Sequence, residues 1–203
     1  DLVIGSWAAG GEERGAVYVV RGPLSGTRSL STAQRILGVE PGDHAGYAIA
    51  PGGDLDGDGV DELVASSFHT ERGGSVYVFR GPLSPDHTSL ASADTRIVAM
   101  RPDDHLGLAL AGGADLTGDG VDDLVIGSPL TSGGRVYVVS RPSGSAFDIG
   151  RASAVLSGVG DEEAGSSLAL GDVDGDGRFD LIVGAPGAEA LGVATGGIYV
   201  AHG

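Results

Sequence analysis

The sequence predicts an all-β chain of β-propeller blades, each of four antiparallel strands, with about three and a half blades in its 203 residues. Three observations predict it. An acidic loop recurs three times at a nearly constant interval, and short runs rich in Val, Ile, Leu and Tyr recur on the same beat. No window carries a persuasive amphipathic helix, since the best, Leu30 to Ile36, is short.

The loops are Asp54-Leu-Asp-Gly-Asp-Gly-Val-Asp-Glu62, Asp115-Leu-Thr-Gly-Asp-Gly-Val-Asp-Asp123 and Asp172-Val-Asp-Gly-Asp-Gly-Arg-Phe-Asp180. Each runs into an apolar stretch, Leu63 to Ala65, Leu124 to Ile126 and Leu181 to Val183, and the opening Asp1-Leu-Val-Ile-Gly5 repeats Asp123-Leu-Val-Ile-Gly127. Positions 1, 62, 123 and 180 are therefore equivalent, and the repeat recurs at 61, 61 and 57 residues.

In chain order, the first strand runs from Leu2, followed by Val17 to Val20 and Arg35 to Val39. Gly46 to Ala50 opens a full repeat that continues through Leu63 to Ala65, Val76 to Phe79 and Arg96 to Met100. Gly107 to Ala111 opens the next, with Leu124 to Ile126, Val136 to Val139 and Ala154 to Gly158. Gly165 to Ala169, Leu181 to Val183 and Ile198 to Val200 end the chain. Each run is short and bounded by Gly, Pro, Asp or Ser, as strands joined by tight turns are. A solenoid is the competing repeat architecture, but its periods are usually shorter and use one or two strands. The blades fall at about 1–40, 41–101, 102–158 and 159–203, all within one partial propeller domain.

Fourteen strands leave three at each end, which cannot merge into one four-stranded blade. The expectation is a segment of a larger propeller, completed by further chain. The alternative is an oligomer that closes the ring, because exposed strand edges invite pairing.

A net charge of -16 argues against a nucleic-acid partner, because phosphate binding draws on Lys and Arg. No apolar run approaches a membrane span. Without Cys there is neither a disulfide framework nor a thiolate metal site. All 12 basic residues are Arg, and the absence of Lys and Asn points to a GC-rich, bacterial-type genome.

Thirteen of the 28 acidic residues lie in the three loops, so nearly half of the acidity reads as an ion-binding inventory. Alternate aspartates with intervening glycines match a hard cation such as Ca2+, which takes six to eight oxygen ligands. Three Ca2+ sites are expected. Positions one, three, five and nine supply side chains: Asp54, Asp56, Asp58 and Glu62; Asp115, Thr117, Asp119 and Asp123; Asp172, Asp174, Asp176 and Asp180. The backbone carbonyl of position seven adds another oxygen, from Val60, Val121 or Arg178. An EF-hand needs an acid at position twelve, where Ala65, Ile126 and Val183 stand inside strands. Acidic β-turns alone would leave four carboxylates in mutual repulsion. Thr117 removes one charge and Glu62 is longer than Asp, so the third loop is expected to bind tightest and the second weakest. Asp61 and Asp122, at position eight, point away and are either solvated or bound to neighbouring backbone.

Gly184-Ala-Pro186 after Leu181 to Val183, with Ala164-Gly165 upstream and the acidic loop between, resembles the FG-GAP repeat of integrin alpha-subunit propellers. Gly127-Ser-Pro129 is a close variant, while Ala45, Leu106 and Ala164 stand where that repeat has its aromatic residue. The resemblance implies an extracellular or cell-surface, Ca2+-stabilised propeller for adhesion or protein recognition, with the calcium loops joining strands one and two of each blade. It implies a protein or carbohydrate ligand on the opposite face. The two-three loops there are Trp7 to Arg14, Phe68 to Arg72, Pro129 to Ser132 and Pro186 to Thr195. The four-one loops are Pro41 to His44, Arg101 to His105 and Gly158 to Glu163. Trp7 and Phe68 either anchor a ligand there or pack between blades.

No nucleophile elbow, Walker loop or His-Glu-x-x-His occurs, which favours a non-catalytic module. The alternatives are the propeller of a secreted hydrolase or lyase, or a sugar-binding propeller. His44 and His105 occupy equivalent loop positions and read as surface histidines rather than a shared metal site. Asp103-Asp104 and Glu162-Glu163 read as a solvated acidic rim rather than an acid/base pair. Tyr18, Tyr77, Tyr137 and Tyr199 form a periodic set that reads as blade packing.

Overall fold

In the computed structural model of the chain, which describes residues 1–68, 73–190 and 193–203, every long element is a strand. The first sheet contains β1 (Leu2–Ser6), β2 (Ala16–Val20) and β3 (Gln34–Leu37). The second contains β4 (Ala45–Gly53), β5 (Glu62–Ser67), β6 (Ser75–Phe79) and β7 (Thr95–Val98). The third contains β8 (Ala109–Ala114), β9 (Asp123–Ser128), β10 (Arg135–Ser140) and, beyond β11 (Ala146–Asp148) in the chain, β12 (Ala154–Ser157). The fourth contains β13 (Ser167–Gly171), β14 (Asp180–Ala185) and, after the small hairpin of β15 (Glu189–Ala190) and β16 (Val193–Ala194), β17 (Gly197–Ala201). Successive strands pair antiparallel within each sheet, as blades do.

β11 was not expected. It leaves its own blade and pairs parallel with β7 of the blade before, Phe147 opposite Ile97, which covers that blade's outer edge. A parallel bridge between Leu37 and Ser89 makes the same junction one blade earlier. The helix-like stretch at Leu30 shrinks to one 3-10 turn, Leu30–Thr32, before β3 begins. Among the described residues no helix is long and apolar enough to cross a membrane.

The core lies between the blades, which explains the continuous apolar runs. Val76 and Val78 of β6 face Leu124, Ile126, Tyr137 and Val139 of the next blade. Tyr77 and Phe79, alternate residues of the same strand, face Val17, Val19 and Ile36 of the blade before. Val136 and Val138 of β10 pack likewise against Leu181 and Val183. A strand with a neighbour on each face needs apolar side chains at both parities. Tyr77 and Tyr137 are thus buried as expected, whereas Tyr199 is exposed and its hydroxyl donates to Glu162 at 2.8 Å.

The inner strands β4, β8 and β13 run beside one another. Their approach rests on glycine: a Cβ on Gly112 of β8 would lie 2.8 Å from the carbonyl oxygen of Pro51 in β4. Glycine also lets strand two of one blade meet the chain that enters the next, since a Cβ on Gly127 of β9 would lie 2.2 Å from the carbonyl oxygen of Gly165, itself at φ +93°. The same contact recurs between Gly5 and Gly46, where the Cβ would lie 2.3 Å from the carbonyl oxygen, and it accounts for the glycine late in those strands and for the one at the entry to the next inner strand.

Candidate metal centre

Each acidic loop hangs from the end of an inner strand and closes at the start of the next, β4 to β5, β8 to β9 and β13 to β14. All three therefore lie on the same side of their sheets. The first aspartate organises each loop. Asp54 Oδ1 accepts from Gly57 N–H at 2.8 Å and Asp58 N–H at 3.0 Å, and its Oδ2 accepts from Gly59 N–H at 2.9 Å. Asp115 binds Gly118, Asp119 and Gly120 in the same way, and Asp172 binds Gly175 and Gly177. Gly57 and Gly59 stand at φ +83° and +88°, the left-handed geometry that lets the chain curl around one carboxylate.

Asp58, Asp119 and Asp176 each accept from the N–H of position seven, at 2.8, 3.1 and 2.8 Å, which fixes the peptide of Val60, Val121 or Arg178. Position nine is the buried closure. Asp123 Oδ2 accepts from Leu116 and Thr117 N–H, both at 2.8 Å, and Glu62 Oε2 accepts from Leu55 N–H at 2.7 Å. Asp180 Oδ2 accepts from Val173 N–H at 2.8 Å.

Burial pushes the Glu62 carboxyl above its ordinary value against the pull of the Leu55 and Gly81 N–H groups, and the charges of Asp56 and Asp58 add to the rise. Burial raises Asp123 as well. Asp180 is lowered, first by the Val173 N–H and then by Gly203 and His202. Asp119 is lowered by the Ser140 hydroxyl and by Arg141.

The structure brings together Asp54, Asp56 and Asp58, each with one carboxylate oxygen within 4.8 Å of the others. Asp172, Asp174 and Asp176 form an equivalent group. Oxygens that share one Ca2+ at 2.3–2.6 Å can lie at most about 5 Å apart, so both groups fit such an ion. The second loop forms no such triplet. Thr117 stands at its third position, and its hydroxyl donates to Asp123 Oδ1 at 3.4 Å.

Basic side chains reach the loops from the far end of strand three, and these were not anticipated. Arg80 contacts Asp56, and Arg141 contacts Asp119, each at 3.3 Å. His202 Nδ1 lies 3.2 Å from both Asp174 and Asp180 and forms a further group with them that can hold a metal. The recurrence of Arg21, Arg80 and Arg141 at one phase of the repeat was the available signal.

On the opposite face, the two-three and four-one loops are knitted by backbone bonds such as Gly42 N–H to the Glu12 carbonyl at 2.8 Å and Leu106 N–H to the Gly73 carbonyl at 2.7 Å. Trp7 is 49% exposed with its ring 5.5 Å from His44, and Phe68 stacks on Tyr47 at 4.8 Å. Residues 69–72 of the loop after Phe68 and 191–192 of the loop after Pro186 lie outside the described residues. His44 meets Glu13 at 3.1 Å and His105 meets the Asp103 carbonyl at 2.9 Å, in separate loops. The acidic rim needs correction at Asp104, which is buried. Its Oδ2 accepts from Arg101 N–H at 2.8 Å and folds the four-one loop, as Asp43 does on Val39 and Glu40 and Glu162 does on Val159.

Residues 45–79, 106–139 and 164–200 match the FG-GAP repeat family. The chain is 33% identical over 189 residues to integrin alpha-E of Mus musculus, covering 85% of this chain and 16% of that protein. It is 29% identical to integrin alpha-PS5 of Drosophila melanogaster, with 76% and 16% covered. It is 33% identical to integrin alpha pat-2 of Caenorhabditis briggsae, with 79% and 14% covered. The chain thus spans about a sixth or less of the length of these relatives.

Proposed function

The chain belongs to the FG-GAP repeat family, and from that premise we propose that it is a Ca2+-binding, integrin-like propeller module for adhesion or recognition outside the cell or at its surface. The reading takes residues 1–203 as one partial propeller with blades at about 1–40, 41–101, 102–158 and 159–203. It has three Ca2+ sites and no catalysis of its own. The observation that carries it is the convergence of Asp54, Asp56 and Asp58, repeated by Asp172, Asp174 and Asp176, on loops whose first carboxylate is already wrapped by backbone N–H groups.

The ion would be held by Asp54, Asp56, Asp58, the Val60 carbonyl and Glu62, and by the equivalent residues of the other two loops. When bound, it neutralises carboxylates that otherwise repel one another at the join between the first two strands of a blade. A protein or carbohydrate ligand would meet the opposite face, where Trp7 is exposed and described loop residues such as Glu12 and Gly42 are joined by backbone hydrogen bonds.

Thermal denaturation with Ca2+ and with EDTA tests this. Extracellular calcium modules bind at about 10⁻⁴–10⁻³ M. An ion at ten times its Kd stabilises by about 1.4 kcal/mol per site. Three sites raise Tm by on the order of 10 °C at this chain length. An unchanged Tm rules the calcium reading out.

A further inference from the structure

Two of the three acidic loops are joined. Asp122 Oδ2, in the second loop, accepts from the backbone N–H of Asp54, where the first begins, at 2.9 Å. The backbone N–H of Asp122 donates to the Asp54 carbonyl at 3.2 Å. The two residues are 68 positions apart and sit in neighbouring blades. The joint is tight: a Cβ on Gly53 would lie 2.1 Å from Asp122 Oδ2, and one on Gly57 would lie 3.3 Å from Val121 Cγ1. Asp122 thus grips position one of the first loop, while its chain neighbours Val121 and Asp123 occupy positions seven and nine of the second.

Among the described residues the second and third loops have no such joint. Position eight of the third loop is Phe179, which has no acceptor and is 46% exposed. Among the described residues no hydrogen bond links residue 179 to Asp115. A Cβ on Gly118, the counterpart of Gly57, would meet nothing within 4 Å.

Resting on the reading that these loops bind Ca2+, we propose that Asp122 is a positioning residue that couples cation binding at the first and second loops and leaves the third independent. A cation held through Val121 and Asp123 orders the peptide between them and so aims the Asp122 carboxylate. That carboxylate and its N–H hold both backbone polar groups of Asp54, which sets the carboxylate that the first loop wraps. The ordering done for the second ion is then not repeated for the first, and linkage makes the effect reciprocal.

The test titrates the full chain with Ca2+ alone. The amide signals of Gly57 and Gly59, Gly118 and Gly120, and Gly175 and Gly177 report each loop separately. Disabling the second loop with Asp115→Asn and Asp119→Asn is expected to weaken the first by about tenfold, within the usual range of site coupling, and to leave the third unchanged. In Asp122→Ala the first loop is already weaker, and disabling the second has no further effect. Asp122→Asn keeps an acceptor for the Asp54 N–H and retains the coupling, which separates positioning from a loss of folding. A first loop indifferent to the second, a coupling that survives Asp122→Ala, or an equal shift at the third loop overturns the proposal alone. A parent chain whose glycine signals do not respond to Ca2+ overturns the calcium reading with it.

Discussion

Arg80 Nε lies 3.3 Å from Asp56 Oδ2, so a guanidinium at the end of β6 rests on the third-position carboxylate of the loop beside it. An entering cation must share that carboxylate with a fixed positive charge. The pair is partly exposed, and such pairs contribute about 0.2–1 kcal/mol. Arg80→Ala is therefore expected to tighten Ca2+ binding at the first loop by up to about fivefold, with the gain shrinking as salt screens the charge. Calorimetric titration at two ionic strengths reads this, and weaker binding in the variant would mean that Arg80 supports the filled loop.

The second loop is expected to be the weakest of the three and the third the tightest. Thr117 brings no charge, and its hydroxyl is turned toward Asp123. Thr117→Asp restores the alternate carboxylates of the other loops and is expected to strengthen this site by about tenfold, since ligand charge tunes affinity in such loops. Titration of chains with the other two loops disabled measures each constant, and a parental second loop that binds tightest refutes the order.

Metal-free stability is expected to respond to pH through the buried closing acids. Glu62 is raised above 4.5 by burial, so its contribution is full below 4.5 and is lost as pH rises through the raised value. Asp180, lowered below 3.8 by the Val173 N–H, acts in the opposite sense, and its contribution is lost as pH falls through the lowered value. In EDTA, Tm should decline as pH climbs from 4.5 toward neutrality. Glu62→Gln should flatten part of that slope, the rest coming from Asp123. An unaltered slope in Glu62→Gln would assign it to other groups.

Blade packing should be sensitive at Gly127. A methyl there would press on the Gly165 carbonyl at 2.2 Å, backbone that cannot move without parting β9 from the chain that enters β13. Gly127→Ala is expected to cost about 1–3 kcal/mol or more. Gly171→Ala, with nothing within 4 Å and φ outside the left-handed region, should change stability by less than about 1 kcal/mol. Denaturant midpoints compare the two, and equal effects would dissociate the cost from the inter-blade contact.

Most of the strand plan was legible because each strand announces itself within four to six residues and four copies reinforce one another. The loops were legible for the same reason: nine residues contain the first aspartate, the glycines that wrap it and the acid that closes over position two. The parallel pairing of β11 with β7 was not legible, because Ala146–Asp148 carries no apolar run and its partner lies in another blade. The burial of Asp104 was not legible either, since its sequence neighbourhood, Pro-Asp-Asp-His, reads as an exposed turn, and only the folded loop turns its carboxylate onto the Arg101 N–H.

The amino-acid sequence by itself determined the repeat, the order of the strands and the local shape of each acidic loop, all set by backbone preference and hydrogen bonds that span at most nine residues. Only the tertiary structure decided which side chains visit those loops. Arg80, Arg141 and His202 arrive from strand three of the same blade, more than twenty residues away, and Asp122 grips Asp54 across 68 residues. Those distances close because blades stack side by side with their glycine-lined inner strands in contact. The stacking energy comes from the buried faces between them, which no single repeat possesses.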